Sequence, residues 1–222
     1  MRLRPMSPTH PATEPAEAKQ APAGRILRLP LPDSDAGLVA AVRAGRPDAH
    51  EELVRRCAPD VERVLFRVLG PDSEMEDLAH EVFIAAFHCL DQLREPKVLR
   101  SWLVGIAVRK ARKLIARRKR WSFVRNVAPG DLPEREASTS SAEISEAFRS
   151  TYRLMSELPV DDRIAFALRH VDGMELTAVA DATEVSLATA KRRVARARRR
   201  FLQLALKSEV LAPWVSEDEV EP

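Results

Sequence analysis

Glycine is scarce in this chain, at seven residues in 222, and aromatic side chains make up only 5% of it. Sheet proteins draw on aromatic residues for their strands and on glycine for their turns, so the shortage favours helices. There are two cysteines, Cys57 and Cys89, in no CxxC or other metal spacing. That excludes a disulfide framework and a zinc knuckle, and both read as small core residues inside apolar helical patterns. The longest apolar runs, Val82 to Phe87 and Leu103 to Val108, fall far short of the ~20 residues of a membrane span. No hydrophobic signal core opens the sequence, and the expected location is the cytoplasm, with no membrane insertion.

Enzyme signatures are also missing. There is no GxxxxGK[ST] loop and no GxGxxG turn, and His80-Glu81 is followed by Ile84 where a zincin helix needs its second histidine. Ser, His and Asp occur in no nucleophile spacing. The expectation is no catalytic residue, no metal and no cofactor.

What the chain has is concentrated positive charge. The net charge is only +3, yet Arg109 to Arg120 holds eight basic residues in twelve and Lys191 to Arg200 holds seven in ten. From Glu209 onward there are five acids and no Lys or Arg. Two such basic patches point to two contacts with nucleic acid. The second patch is the more informative. Thr177 to Phe201 reads as a short helix, a turn and a long helix. Leu187, Ala190, Val194, Ala197, Phe201 and Leu204 recur at steps of three and four, which puts them on one face. The basic residues fill the other faces. A helix that docks by one stripe and carries cations elsewhere, after a short helix, matches helix-turn-helix DNA binding.

Residues 1–34 hold seven prolines and no periodicity, which predicts a disordered extension. Helical patterns begin at Asp35. A short amphipathic helix ends near Gly45, and Asp48 is positioned to cap the next, whose stripe runs from Leu53 to Val68. Pro59 predicts a kink or break near Ala58. Ser73 and Glu76 match a capping box for a third helix reaching about Leu90. After a loop at 91–97, a fourth helix spans about Val98 to Arg120. These make one domain over 35–121. Pro129-Gly130, Pro133 and Ser138 to Ser141 mark a linker at 122–142. A second domain covers 143–206 and contains the helix-turn-helix, followed by an acidic tail at 207–222. The expected fold is all-α, two helical domains joined by a flexible linker.

In this order the segments resemble an extracytoplasmic-function sigma factor of bacterial RNA polymerase. Ala49 to Val54 is similar to the family's AFEELV segment, Asp77 to Phe83 to DLxQEVF, and Ser101-Trp102-Leu103 with Ile106-Ala107 to AWLxxIA. Leu158-Pro159, Gly173 to Leu176 and Ala188 to Arg193 are similar to its LP, GLSY and GTVKSR segments. Each match alone is weak, but their order and spacing are specific. Three departures stand out. His80 replaces the family's Gln. Val108-Arg109 and Lys113 replace Arg-Asn and a later Asp. Glu184 occupies the turn position usually held by Gly.

The resemblance implies roles. Asp77, Leu78, His80, Glu81, Val82 and Phe83 would dock on core RNA polymerase, Asp77 and Glu81 lying one helical turn apart. Arg94, Lys97, Leu99, Trp102, Arg109, Lys110, Arg112, Lys113 and Arg117 would serve the minus-ten promoter element. Leu99 stands near the pocket where the family captures a flipped base, and for Trp102 core packing is the equal alternative. Ser186, Ala188, Thr189, Lys191, Arg192, Arg193 and Arg196 would serve the minus-thirty-five element, Ser186 as helix cap. Partners would be core RNA polymerase, promoter DNA and an anti-sigma factor. Two other readings stay open: a stand-alone helix-turn-helix regulator, and a degenerate sigma-like protein that only binds an anti-sigma partner. The plainer reading of each charged face is a solvated helix surface.

Overall fold

A computed structural model describes residues 31–125 and 142–215. The extension up to Pro30, residues 126–141 of the expected linker and residues 216–222 of the tail lie outside the described residues. Among the described residues every regular element is helical, as the shortage of glycine and aromatics predicts.

The first domain holds α1 (Asp35–Arg43), α2 (Pro47–Leu69), α3 (Met75–Cys89) and α4 (Leu99–Arg125). Ser34 starts α1, its Oγ accepting from Gly37 N at 3.1 Å, and Leu38, Val39, Ala41 and Val42 turn inward. α2 starts on Pro47 after Arg46, with no side-chain cap. Asp48, expected as that cap, lies inside the first turn and pairs with Arg46 at 2.8 Å.

Of the kink or break expected near Ala58, the break does not occur, and α2 is a single helix of 23 residues. Pro59 faces solvent, where water can satisfy the carbonyl one turn back that loses its partner. Leu53 and Cys57 before it, and Val61, Val64 and Leu65 after it, are buried in one core and hold both halves in a single helix. Burial pushes the Cys57 thiol up to about 11, which suits a core residue rather than a reactive one. The capping box expected at Ser73 and Glu76 is also absent. α3 begins at Met75, and Asp72 Oδ1 takes the Glu74 amide at 2.9 Å instead.

The second domain holds α5 (Ala142–Glu157), α6 (Val160–Phe166), α7 (Leu176–Thr183) and α8 (Leu187–Ala205). A π-helical turn over Ala167–Val171 extends α6. Asp162, 1% exposed, receives both forks of Arg196 at 2.6 and 2.7 Å and ties α6 to α8. Phe166 stacks on Phe201 at 4.7 Å.

The two domains pack together, and α4 is the shared element. It lies against α2 and α3 on one side and against α6 and α7 on the other. The second domain also closes the C-terminal end of α2, whose carbonyls have no intrahelical partners. Tyr152 Oη donates to Phe66 O at 3.2 Å, and Arg163 donates to Val68 O and Leu69 O, each at 3.2 Å. Burial pushes the Arg163 guanidinium down to about 10, still a cation at neutral pH and well placed at a helix C-terminus. Gly70 ends α2 at φ 79°, with the Tyr152 ring against it where a Cβ would stand 2.7 Å from a ring carbon. Only glycine suits both the angle and that contact.

Candidate functional site

The basic part of α4 is built on a buried face. Val104, Ala107, Val108, Ala111, Leu114 and Ile115 point inward, which forces the cations between them onto the remaining faces. Carboxylates from distant parts of the chain meet most of these cations. Arg109 donates to Glu184, Lys110 to Glu81 at 2.9 Å, and Arg117 to Glu74 at 2.6 Å. Arg112 Nε sits 3.0 Å from Asp161 Oδ1 but out of line for a hydrogen bond, and its Nη2 reaches Thr183 O at 3.4 Å. Arg118 grips both Asp72 and Glu74. Burial alone would push the Asp72 carboxyl up, but the Arg118 hydrogen bond and charge outweigh it and hold it below its ordinary value. Arg118 holds Glu74 down in the same way. Lys113 is exposed.

The loop before α4 is pinned from α1. Arg43 Nη2 donates to Leu90 O at 2.8 Å and to Leu93 O at 2.6 Å. Arg94 and Lys97 project to solvent, Lys97 with Glu95 at 3.0 Å. Leu99, expected beside a base-capturing pocket, is fully buried and belongs to the core, whereas its neighbour Val98 is exposed. α4 starts at Leu99, and its first turn faces inward. Trp102 is half-buried against the same core.

On α3, Asp77, His80 and Glu81 are exposed on one face, over buried Leu78, Val82 and Phe83. The apolar members of this set support the face rather than form it. Ile84, one turn beyond His80, is the exposed apolar residue here. His80 also borders a groove between α2 and α3 lined by Val54, Phe66, Met75, Ala79 and Phe83.

The helix-turn-helix is α7, the turn at 184–186 and α8. Ser186 caps α8 as expected, its Oγ accepting from Thr189 N at 3.2 Å. Ala190, Val194 and Ala197 are buried, but Leu187 at the head of the predicted stripe is 39% exposed. Ala188, Lys191 and Arg192 are exposed on the outer face. Lys191, Arg192, Arg199 and Arg200 have no ion-pair partner among the described residues. Arg193 and Arg196 differ: Arg193 donates to Asp161 at 2.9 Å, and Arg196 is held by Asp162. Glu184 takes the left-handed conformation, φ 57° and ψ 45°, as its place in the turn requires.

Sequence reasoning missed Asp72, Glu74, Asp161, Asp162, Tyr152 and Arg163. Asp161-Asp162 directly after Leu158-Pro159 carried a usable signal, since acids favour the first turn of a helix. The others pair with residues more than 40 positions away, as in Arg118 with Asp72, and local patterns hold no trace of that.

Comparison with known proteins agrees with this arrangement. Residues 53–121 match the family described as Sigma-70 region 2, and residues 148–201 match Sigma-70, region 4, together more than half of the chain. The ECF RNA polymerase sigma-E factor of Escherichia coli (strain K12) is 29% identical over 174 residues, 74% of this chain and 91% of that protein. RNA polymerase sigma factor NccH of Alcaligenes xylosoxydans xylosoxydans is 28% identical over 188 residues, 81% and 98% of the two chains. Among solved structures, CnrH in complex with the cytosolic domain of CnrY shares the fold, with a TM-score of 0.55 at 22% identity, covering 78% of this chain and 97% of CnrH. The sigma factor RpoE in complex with the anti-sigma factor NepR, from Bartonella quintana, does so with a TM-score of 0.55 at 21% identity, covering 72% and 97%. With both regions present in this order around one basic connecting helix, the chain belongs to the sigma-70 family, in its extracytoplasmic-function group.

Proposed function

We propose that this protein binds core RNA polymerase and directs it to a restricted set of promoters, where it recognises both promoter elements and opens the duplex. The observation that carries this reading is the pairing on one chain of two surfaces with different chemistry. One is the exposed α3 face of Asp77, His80, Glu81 and Ile84, where acids surround an aliphatic anchor, a combination suited to a protein partner. The other is the outer face of α8, where Ala188, Thr189, Lys191 and Arg192 follow a capped N-terminus, as in a helix that enters the major groove. A regulator acting through duplex DNA alone has no use for the first.

In this scheme α8 reads the minus-thirty-five element. Lys191 and Arg192 reach base edges or adjoining phosphates, and Arg199 and Arg200 follow the backbone. The first domain engages the minus-ten element through Arg94, Lys97, Trp102 and, on α4, Arg109, Lys110, Arg112, Lys113 and Arg117. Leu99 acts there only by fixing the start of α4. Phosphate contacts of this kind set register and carry little sequence information. Polymerisation chemistry belongs to the polymerase, so no catalytic residue, metal or cofactor is assigned to this chain. The protein works in the cytoplasm and is held there by an anti-sigma partner; CnrH and RpoE are both seen with partners of their own. No helix among the described residues is long and apolar enough to cross a membrane.

The test is co-elution of the full chain with purified core polymerase on size exclusion. The wild type is expected to co-elute, Asp77→Lys with Glu81→Lys to lose most of the complex, and Arg192→Ala to retain it. Duplex binding without co-elution of the wild type would favour the stand-alone regulator.

A further inference from the structure

The segment between α3 and α4 contains no glycine and carries three buried leucines, Leu90, Leu93 and Leu99. Between these anchors Arg94, Lys97 and Val98 are exposed. Two short helical turns, Leu90–Gln92 and Pro96–Val98, shape the segment. Leu93 N donates to Leu90 O to close the first and Val98 N to Glu95 O to close the second, each at 3.0 Å. Turns of three residues have poor hydrogen-bond geometry, so the shape of the loop depends on what lies against them.

α1 lies against both turns. Its nine residues span about 13 Å. At its C-terminal end, Arg43 Nη2 donates to Leu90 O at 2.8 Å and to Leu93 O at 2.6 Å, so one nitrogen bridges the two ends of the first turn. Asp91 stands 3.7 Å from Arg43 Nε, but its side chain is 95% exposed, where an ion pair contributes little. The carbonyls are therefore what hold the guanidinium. At the N-terminal end of α1, Asp35 stands 3.4 Å from Arg100 Nε, one residue beyond Leu99, and Arg100 Nη1 donates to Asp60 of α2 at 2.7 Å. The helix thus braces the loop at both ends. Its own docking rests on buried Leu38, Val39, Ala41 and Val42, so the Arg43 bridge fixes the loop rather than the helix.

We propose that Arg43 is a positioning residue for promoter opening: by bridging Leu90 O and Leu93 O it holds the 90–99 loop in the shape that presents Arg94, Lys97 and Val98 to the unpaired strand of the minus-ten element. The inference rests on the promoter-binding reading and deepens it on the minus-ten side. Arg43 itself touches no DNA in this scheme. It lowers the ordering cost that a loose loop would meet on capturing an unstacked base. Holding one such base is worth about tenfold in the population of the open state. Lysine keeps donors that can serve both carbonyls, whereas methionine fills similar space with none.

The experiment uses the full chain as wild type, Arg43→Met, Arg43→Lys and Asp35→Asn. Three quantities are read: hydrogen exchange of the loop amides in the free protein, co-elution with core polymerase, and run-off transcription. The template is the DNA upstream of the protein's own gene, supplied as intact duplex and with the minus-ten segment opened in advance by mismatches. Arg43→Met should exchange faster over 90–99, co-elute like wild type, lose about tenfold of the transcript from the duplex and recover most of it on the opened template. Arg43→Lys should restore most of both losses, and Asp35→Asn should show the same pattern at smaller size. Unchanged exchange in Arg43→Met overturns the bridge. Faster exchange with an undiminished duplex transcript overturns the positioning role, and so does an equal loss on both templates, which is what a merely structural residue would give. If Arg43→Met fails to co-elute, Arg43→Lys and Asp35→Asn decide by the same readouts. No transcript from wild type on either template is the failure of the promoter-binding reading, and it removes the positioning role whatever the exchange shows.

Discussion

The basic stretches of α4 and α8 are nearly identical in composition and opposite in circumstance. In α4, Arg109, Lys110, Arg112, Arg117 and Arg118 all lie against carboxylates brought from other helices and the turns between them. In α8, Arg193 and Arg196 are paired, while Lys191, Arg192, Arg199 and Arg200 face outward with no ion-pair partner among the described residues. A count of cations therefore overstates what α4 offers a polyanion. Charge density in a sequence shows where phosphate can be met, and pairing in the fold decides how readily.

The comparison breaks most visibly at Arg118. Asp72, whose side chain is 6% exposed, loses its main partner in Arg118→Ala, and an under-paired buried carboxylate costs about 1–3 kcal/mol of stability. Chemical denaturation should show that loss, while duplex affinity changes little. Asp72 and Glu74 also give a pH signature. Their folded carboxyls sit below their ordinary values, so their contribution is complete above the unfolded values near pH 4 and is lost as pH falls through the lowered ones. Wild-type stability should decline in that acid window, and the decline should be shallower in Arg118→Ala.

The α8 counterpart reverses the readouts. Lys191→Ala with Arg192→Ala should leave stability within about 0.5 kcal/mol. It should weaken duplex binding about tenfold and flatten the salt slope by roughly two units, one for each phosphate no longer neutralised. Ser186→Ala is the smallest of these changes. Removing the cap on α8 costs about 1 kcal/mol, seen as a lower Tm with the salt slope unchanged.

The sequence was most legible where function and fold are both local. Ser186, Ala190, Val194 and Ala197 lie within one helix, and their spacing alone placed the cap, the docking stripe and the outer face. At Glu184 the motif left two outcomes open, a residue of positive φ or a turn built differently, and the fold takes the first. Legibility failed where a distant contact overrode a local rule. Pro59 predicted a kink or a break, but core contacts on both sides of it carry α2 through as one helix. Ser73 and Glu76 matched a capping box, yet Asp72 takes the free amide. Leu99 was placed by motif alignment beside a DNA pocket, but its register in the first turn of α4 buries it. The partners of Arg109, Arg112 and Arg118 were invisible because no local pattern couples residues 40 to 75 positions apart.

The central claim, that the two surfaces serve transcription initiation, is tested most directly by run-off transcription with purified core polymerase on the DNA upstream of the protein's own gene. The account predicts a discrete transcript that depends on the protein, is lost when Asp77 and Glu81 are both changed to Lys, and is weakened when Lys191 and Arg192 are both changed to Ala. A transcript equally strong without the protein, or unaffected by both double substitutions, would contradict it.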